Sequence, residues 1–281
     1  MSSAGEKAGS ATLIWGRRHW GLDARIGMAL VATIAGLSLL SLAYTPYPSE
    51  MMIDKSQFLA PSLSHPLGTD SFGRDVFSRI MVGGRYTLLV AASTVLGSAL
   101  IGSVIGLTIG YIGGLLSDVV MRIMDALSAF PGILLALIMM AVLPTSDYTI
   151  ILALLILFVP GYTRIMRSSM LQYRNLDFVD SAKIMGAGSV RIIIRQILPN
   201  LLPVLLSALV IGFSNAILAE AAMSYLGFGI QPPAPSWGRM LAESQNYLFN
   251  APWCSIAPGL VIITTVSGFH FLGEGIRKRF C

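Results

Sequence analysis

The chain has 281 residues, of which 54% are hydrophobic and 12% charged, with a mean hydropathy of +0.73. A soluble globular domain of that length needs more charge to cover its surface, so the composition excludes that class and indicates a polytopic membrane protein. The net charge of +5 needs no nucleic-acid partner, because an uneven placement of Lys and Arg between the loops accounts for it.

Six apolar runs reach the ~17–25 residues that a helix needs to cross hydrocarbon. They are 26–44, about 88–112, 119–142, 148–165, about 201–228 and 253–272. None shows the polar–apolar alternation of a barrel strand, so the fold class is all-α, a polytopic membrane protein with six transmembrane helices. With the N-terminal segment 1–25 cytoplasmic, 14 of the 19 basic residues fall on that side. Only Lys55, Arg74, Arg79, Arg85 and Arg239 fall on the other. This places both termini inside. Arg17-Arg18 resembles a twin-arginine signal, but the run that follows is longer than a signal-peptide core and reads as an uncleaved first span. Cys254 and Cys281 lie on opposite faces in this topology and cannot pair.

In the external loop 45–87, the segment 65–88 reads HPLGTDSFGRDVFSRIMVGGRYTL. It predicts an amphipathic helix capped by Asp70, with Phe72, Val76, Phe77, Ile80 and Met81 as its stripe. Asp75 and Arg79 pair at i,i+4, and Gly83-Gly84 end it. Along the second span Gly102, Gly106, Gly110 and Gly114 recur every four residues, a ridge for close helix packing. Pro131-Gly132 interrupts and bends the third span, where Asp125 and Arg122 form a local ion pair. On the fifth span, Glu220 with Asn215 and Ser224 either lines a polar translocation path or is held by neighbouring helices. His270 is structural.

Between the fourth and fifth spans, inside the loop 169–200, the segment 180–200 reads DSAKIMGAGSVRIIIRQILPN. Asp177 caps one short helix, Gly186 and Gly188 turn the chain, and Ser189 caps a second helix that Pro199 ends. Arg191 and Arg195 share one face, opposite Val190, Ile193, Ile194 and Ile197. So short a helix must dock on something, either lipid headgroups or a cytoplasmic protein, and the hinge favours the protein.

Asp180-Ser181-Ala182, Gly186 and Ile197-Leu198-Pro199 resemble the cytoplasmic EAA loop of permeases in binding-protein-dependent ABC importers. The departures are Asp180 for Glu, Ser181 for Ala and Gln196 for Ile or His. Segment 65–88, with MSYLGFGIQPPAPSWGRMLAE at 223–243 and FLGEGIRKRF at 271–280, is similar to the C-type permease of the dipeptide, oligopeptide and nickel systems, except that His270 stands in place of Asn. The resemblance implies an ABC importer type I transmembrane domain over 88–281. It implies a partner set of a second homologous permease, two ATPase subunits holding the loop 177–199, and an extracytoplasmic solute-binding protein. ATP and Mg would be bound by the ATPases, and this chain would carry no cofactor and no metal. The cargo would be short peptides, with nickel or metallophore complexes and opines as alternatives, and the location a bacterial inner membrane.

No phosphate-binding G-x-x-x-x-G-K-[ST] loop, H-E-x-x-H helix or G-x-S-x-G elbow occurs, which leaves a membrane hydrolase without a nucleophile. An ion-coupled secondary transporter, the alternative of another class, requires inverted repeats and more buried charge than one deep Glu220.

Overall fold

The computed structural model describes residues 21–53, 56–143 and 146–280. The Arg17-Arg18 pair, Lys7, His19, Lys55 and Cys281 lie outside the described residues. The helices in chain order are α1 (Leu22–Leu40), α2 (Val76–Ile112), α3 (Gly114–Ala129), α4 (Gly132–Val142), α5 (Asp147–Tyr173), α6 (Asp177–Ile184), α7 (Ser189–Ile192), α8 (Leu198–Tyr225), α9 (Trp237–Ser244) and α10 (Trp253–Phe280). A π-helical turn, Ile193–Ile197, joins α7 to α8. Among the described residues five helices are long and apolar enough to span a membrane, and the pair α3–α4 supplies a sixth span if counted as one.

That pair bends by 88°. Phe130, extended at ψ 138°, precedes Pro131, whose ring disfavours helical backbone in the residue before it and which itself lacks an N–H. Asp125 pairs across to Arg164 of α5 at 2.8 Å instead of to Arg122 on its own helix, because α3 runs alongside α5.

The second span begins earlier than its hydropathy suggests. Asp75, not Asp70, caps α2, its carboxylate accepting from the Ser78 N–H at 2.8 Å. Asp70 instead accepts from the Phe72 and Arg74 N–H groups and closes the preceding turn. Nor do Gly83-Gly84 end the helix. A β-carbon on Gly84 would strike the Ser38 hydroxyl of α1 and come within 2.9 Å of the Trp237 ring, so Gly84 lets both α1 and the tryptophan approach, while Gly83 meets the Ser236–Trp237 segment at ordinary contact distance.

Further along α2 the same logic brings α5 close. A β-carbon on Gly102 would lie 2.6 Å from Tyr162 Cβ, one on Gly106 2.5 Å from the Thr163 carbonyl oxygen, and one on Gly110 2.8 Å from Met170 Cβ. Gly114 does not belong to this ridge. It opens α3 at φ +64° with nothing within 4 Å of its would-be β-carbon. The central core joins Ala91, Val95 and Ala99 of α2 to Tyr162, Ala216, Ile217, Trp237 and Ile262. Outside it, α1 lies against α10, with Gly27 facing the Gly268 and Leu272 backbone and Asp23 bonded to Lys278 at 2.9 Å.

Candidate functional site

The loop between α5 and α8 folds as two short helices pressed onto one end of the bundle. Asp177 is the first residue of α6, behind Leu176 at the cap, and Ser189 is the first residue of α7, behind Gly188. Neither is the cap that its side chain suggests. Between the helices the Gly186 N–H donates to the Lys183 carbonyl and the Ala187 N–H to the Ala182 carbonyl, each at 3.0 Å. This is the Schellman closure, and it requires left-handed backbone at Gly186, here φ +79°. Gly188, at φ −67°, needs no such freedom.

Pro199 does not stop the second helix. In a regular α-helix the carbonyl of Arg195 would await an N–H that Pro199 lacks. The chain widens instead into the π turn, the Leu198 N–H donating five residues back to Ile193 and α8 continuing to Tyr225. The wider turn also re-sorts the faces. Ile192 and Ile197, five apart, are both fully buried, together with Val179 and Ala182, against Leu107, Met166, Met170 and Leu201. The apolar face read from the sequence is thereby split: Ile197 is buried, whereas Val190 and Ile194 face outward at 69% and 56% exposure.

Beside them stand Ile184 and Met185, 87% and 77% exposed. The outer surface of the loop is thus an apolar ridge flanked by exposed Arg191 and Arg195 and by the Asp180–Lys183 pair at 2.8 Å. Ser181 turns its hydroxyl back to the Asp177 carbonyl. Sequence reasoning missed the ridge because Ile184 and Met185 read as the tail of an amphipathic helix.

Of the three residues placed on a translocation path, only Asn215 is exposed. It borders an open groove of about 190 Å³ between α5 and α8, with Phe158, Tyr162, Ala208, Ile211 and Gly212. Glu220 and Ser224 are interior to this chain, at 0% and 1% exposure. The Ser224 hydroxyl donates to Glu220 Oε1 at 2.6 Å. Thr87 and Ser236 hydroxyls face the same carboxyl, although Oε2 forms no complete hydrogen bond. Glu220 therefore sits where α8, α2 and the N-terminus of α9 meet.

At the end of the bundle opposite α6–α7, two arginines and two acids interlock. Arg74 Nε donates to Asp70 at 2.7 Å and its Nη2 to Glu243 at 2.9 Å. Arg79 Nη1 bridges the same two carboxylates, and Arg239 closes on Glu243 at 3.2 Å. The expected Asp75–Arg79 pair is absent from this arrangement, since Asp75 holds His65 Nδ1 at 2.9 Å while capping α2. Burial raises the Glu243 pKa, but the charges of Arg79 and Arg74 outweigh it and hold the carboxyl below its ordinary value. The network clamps α9 to the start of α2, helped by the Trp237 Nε1–H donating to the Ile80 carbonyl at 3.0 Å. Its sequence signal was three arginines and two acids in loops otherwise poor in charge, but their pairing spans 169 positions.

Residues 102–280 match the family described as binding-protein-dependent transport system inner membrane component. The chain is 36% identical over 252 residues to a dipeptide transport system permease protein of Alkalihalophilus pseudofirmus, covering 90% of this chain and 83% of the relative. It is 37% identical over 271 residues to a glutathione transport system permease protein of Pectobacterium atrosepticum, covering 93% and 89%. A dipeptide transport system permease protein of Haemophilus influenzae is 35% identical over 260 residues, at 90% and 88% coverage.

Proposed function

This chain belongs to the family of binding-protein-dependent transport system inner membrane components, the permease subunits of ABC importers, and from that premise we propose how its parts divide the work. The α6–α7 loop is the contact for a cytoplasmic ATPase subunit, one of a pair that binds ATP and Mg. Its exposed ridge of Ile184, Met185, Val190 and Ile194 is the observation that carries this reading. Four apolar side chains facing water beside charged residues are unfavourable unless a partner covers them. A lipid surface would be met by one flat helix, whereas the Schellman turn sets two helices at an angle.

Force on this loop would reach the bundle through Val179, Ala182, Ile192 and Ile197, which pack on α5 and on α2. ATP binding and the loaded binding protein would each favour one arrangement of the helices, and hydrolysis would reset it. The groove at Asn215 would meet a second, homologous permease, the two together lining the path. Glu220 would act as a strut. Both termini would be cytoplasmic, the segment 45–87 external and 88–281 the transport domain. This chain would contribute shape and lining, with no bond chemistry of its own.

For the cargo we take short peptides, since relatives sharing about 36% identity are named for dipeptide and glutathione transport. The test is reconstitution in sealed vesicles with the partner permease, the ATPases and the binding protein. Peptide uptake should require all the components and ATP. Equal uptake by this chain without the ATPases would overturn the reading.

A further inference from the structure

Four described arginines stand at the end of the bundle opposite α6–α7. Arg74, Arg79 and Arg239 share Asp70 and Glu243. Arg85 has no carboxylate partner among the described residues. Its Nη1 makes one long bond, 3.4 Å, to the Ser41 carbonyl, and its guanidinium lies 5.6 Å from the centre of the Tyr86 ring. Arg85 lines the outer end of an open groove of about 540 Å³ between α1 and α2. The walls below it are Ala35, Leu39 and Leu42 on one side and Leu88 and Leu89 on the other, with no second charge in the lining.

We propose that this groove binds one anionic phospholipid of the outer leaflet, its phosphate on Arg85 and an acyl chain along the leucines. A guanidinium presents its N–H donors in the planar fork that matches phosphate oxygens, and it is held here on a half-buried stem instead of being spent on an internal acid. The groove runs along the last turn of α1 from Leu39 back to Ala35, about 6 Å of helix, with Leu42 just beyond the helix end extending the wall towards Arg85, enough to seat the upper part of an acyl chain. A free phosphate ion would use the cation and leave the apolar walls empty. A helix of another subunit would cover the apolar walls but would need an acceptor of its own opposite the guanidinium. The lipid satisfies both ends. This site depends on membrane placement alone and not on the transport reading.

The test is native mass spectrometry of the assembled permease–ATPase complex taken from discs of mixed phosphatidylethanolamine and phosphatidylglycerol. The wild type should retain phosphatidylglycerol selectively. Arg85→Gln should reduce that retention about fivefold, the value of one cation at an anionic membrane surface. Arg85→Lys should fall between the two. Ala35→Phe, which fills the groove and keeps the charge, should lose the retained lipid as well. Unchanged phosphatidylglycerol retention in Arg85→Gln and Ala35→Phe would overturn the site. So would efficient photo-crosslinking of the partner permease from a benzophenone side chain placed at position 42, since that would place protein in the groove.

Discussion

Gly186 and Gly188 look equivalent in the sequence, and the structure makes them opposites. A side chain at 186 must sit on backbone at φ +79°, which costs an L-residue about 1–2 kcal/mol. No atom lies within 4 Å of the new β-carbon, so the cost comes from the backbone and repacking cannot relieve it. A β-branched residue is worse still. One or two kcal/mol corresponds to roughly a 5–30-fold loss in the population of the closed turn. At 188 the backbone is ordinary and the surroundings are open, so Gly188→Ala should be close to neutral, its gain in the unfolded state of about 0.4–1 kcal/mol offset by alanine's weaker N-capping. The assay is ATP hydrolysis stimulated by loaded binding protein, measured with uptake in reconstituted complex and normalised to the amount assembled. Coupling should fall in the order wild type and Gly188→Ala, then Gly186→Asn, Gly186→Ala and Gly186→Val. Undiminished coupling in Gly186→Val, or equal damage from the alanines at 186 and 188, would refute the argument.

Gly106→Ala drives a β-carbon against the Thr163 carbonyl and should destabilise the α2–α5 contact by about 1–3 kcal/mol, lowering Tm in detergent. Gly36→Ala on α1 meets nothing and serves as the neutral control. Glu243 has a depressed pKa, so its stabilising contribution is complete above the ordinary value of 4.5 and is lost as pH falls through the lower folded value. Thermal unfolding followed from neutral pH down to acid should show that loss in the wild type. Glu243→Gln should lack it and cost roughly 1.5–3 kcal/mol at neutral pH. Glu220→Ala should reduce the yield of assembled complex by emptying a packed junction, on the order of 2 kcal/mol. Asn215→Trp should block uptake per assembled complex; normal assembly with Glu220→Ala would return that residue to the path.

Much of this protein was legible in one dimension, because the determining physics is local. The spans announce themselves by length and apolarity, and Pro131 marks the bend in the third since its ring constrains the residue beside it. The two-helix loop was visible through Gly186, whose role is set by a turn closed within six residues. Tertiary structure decided whatever depends on a partner far away in the chain. Gly83-Gly84 are a helix stop by local rules, yet inside α2 Gly84 becomes the point where Ser38 of α1 and Trp237 of α9 close in. Asp75 and Arg79 match as helix neighbours, yet Glu243 and Asp70 take the arginine and His65 takes the acid. Pro199 turns the helix into a π turn that exposes Val190 and Ile194, an outcome no fixed periodicity contains. Spacing along a chain specifies which face a residue occupies only while the helix stays regular, and a charge pairs with whichever opposite charge folding brings nearest.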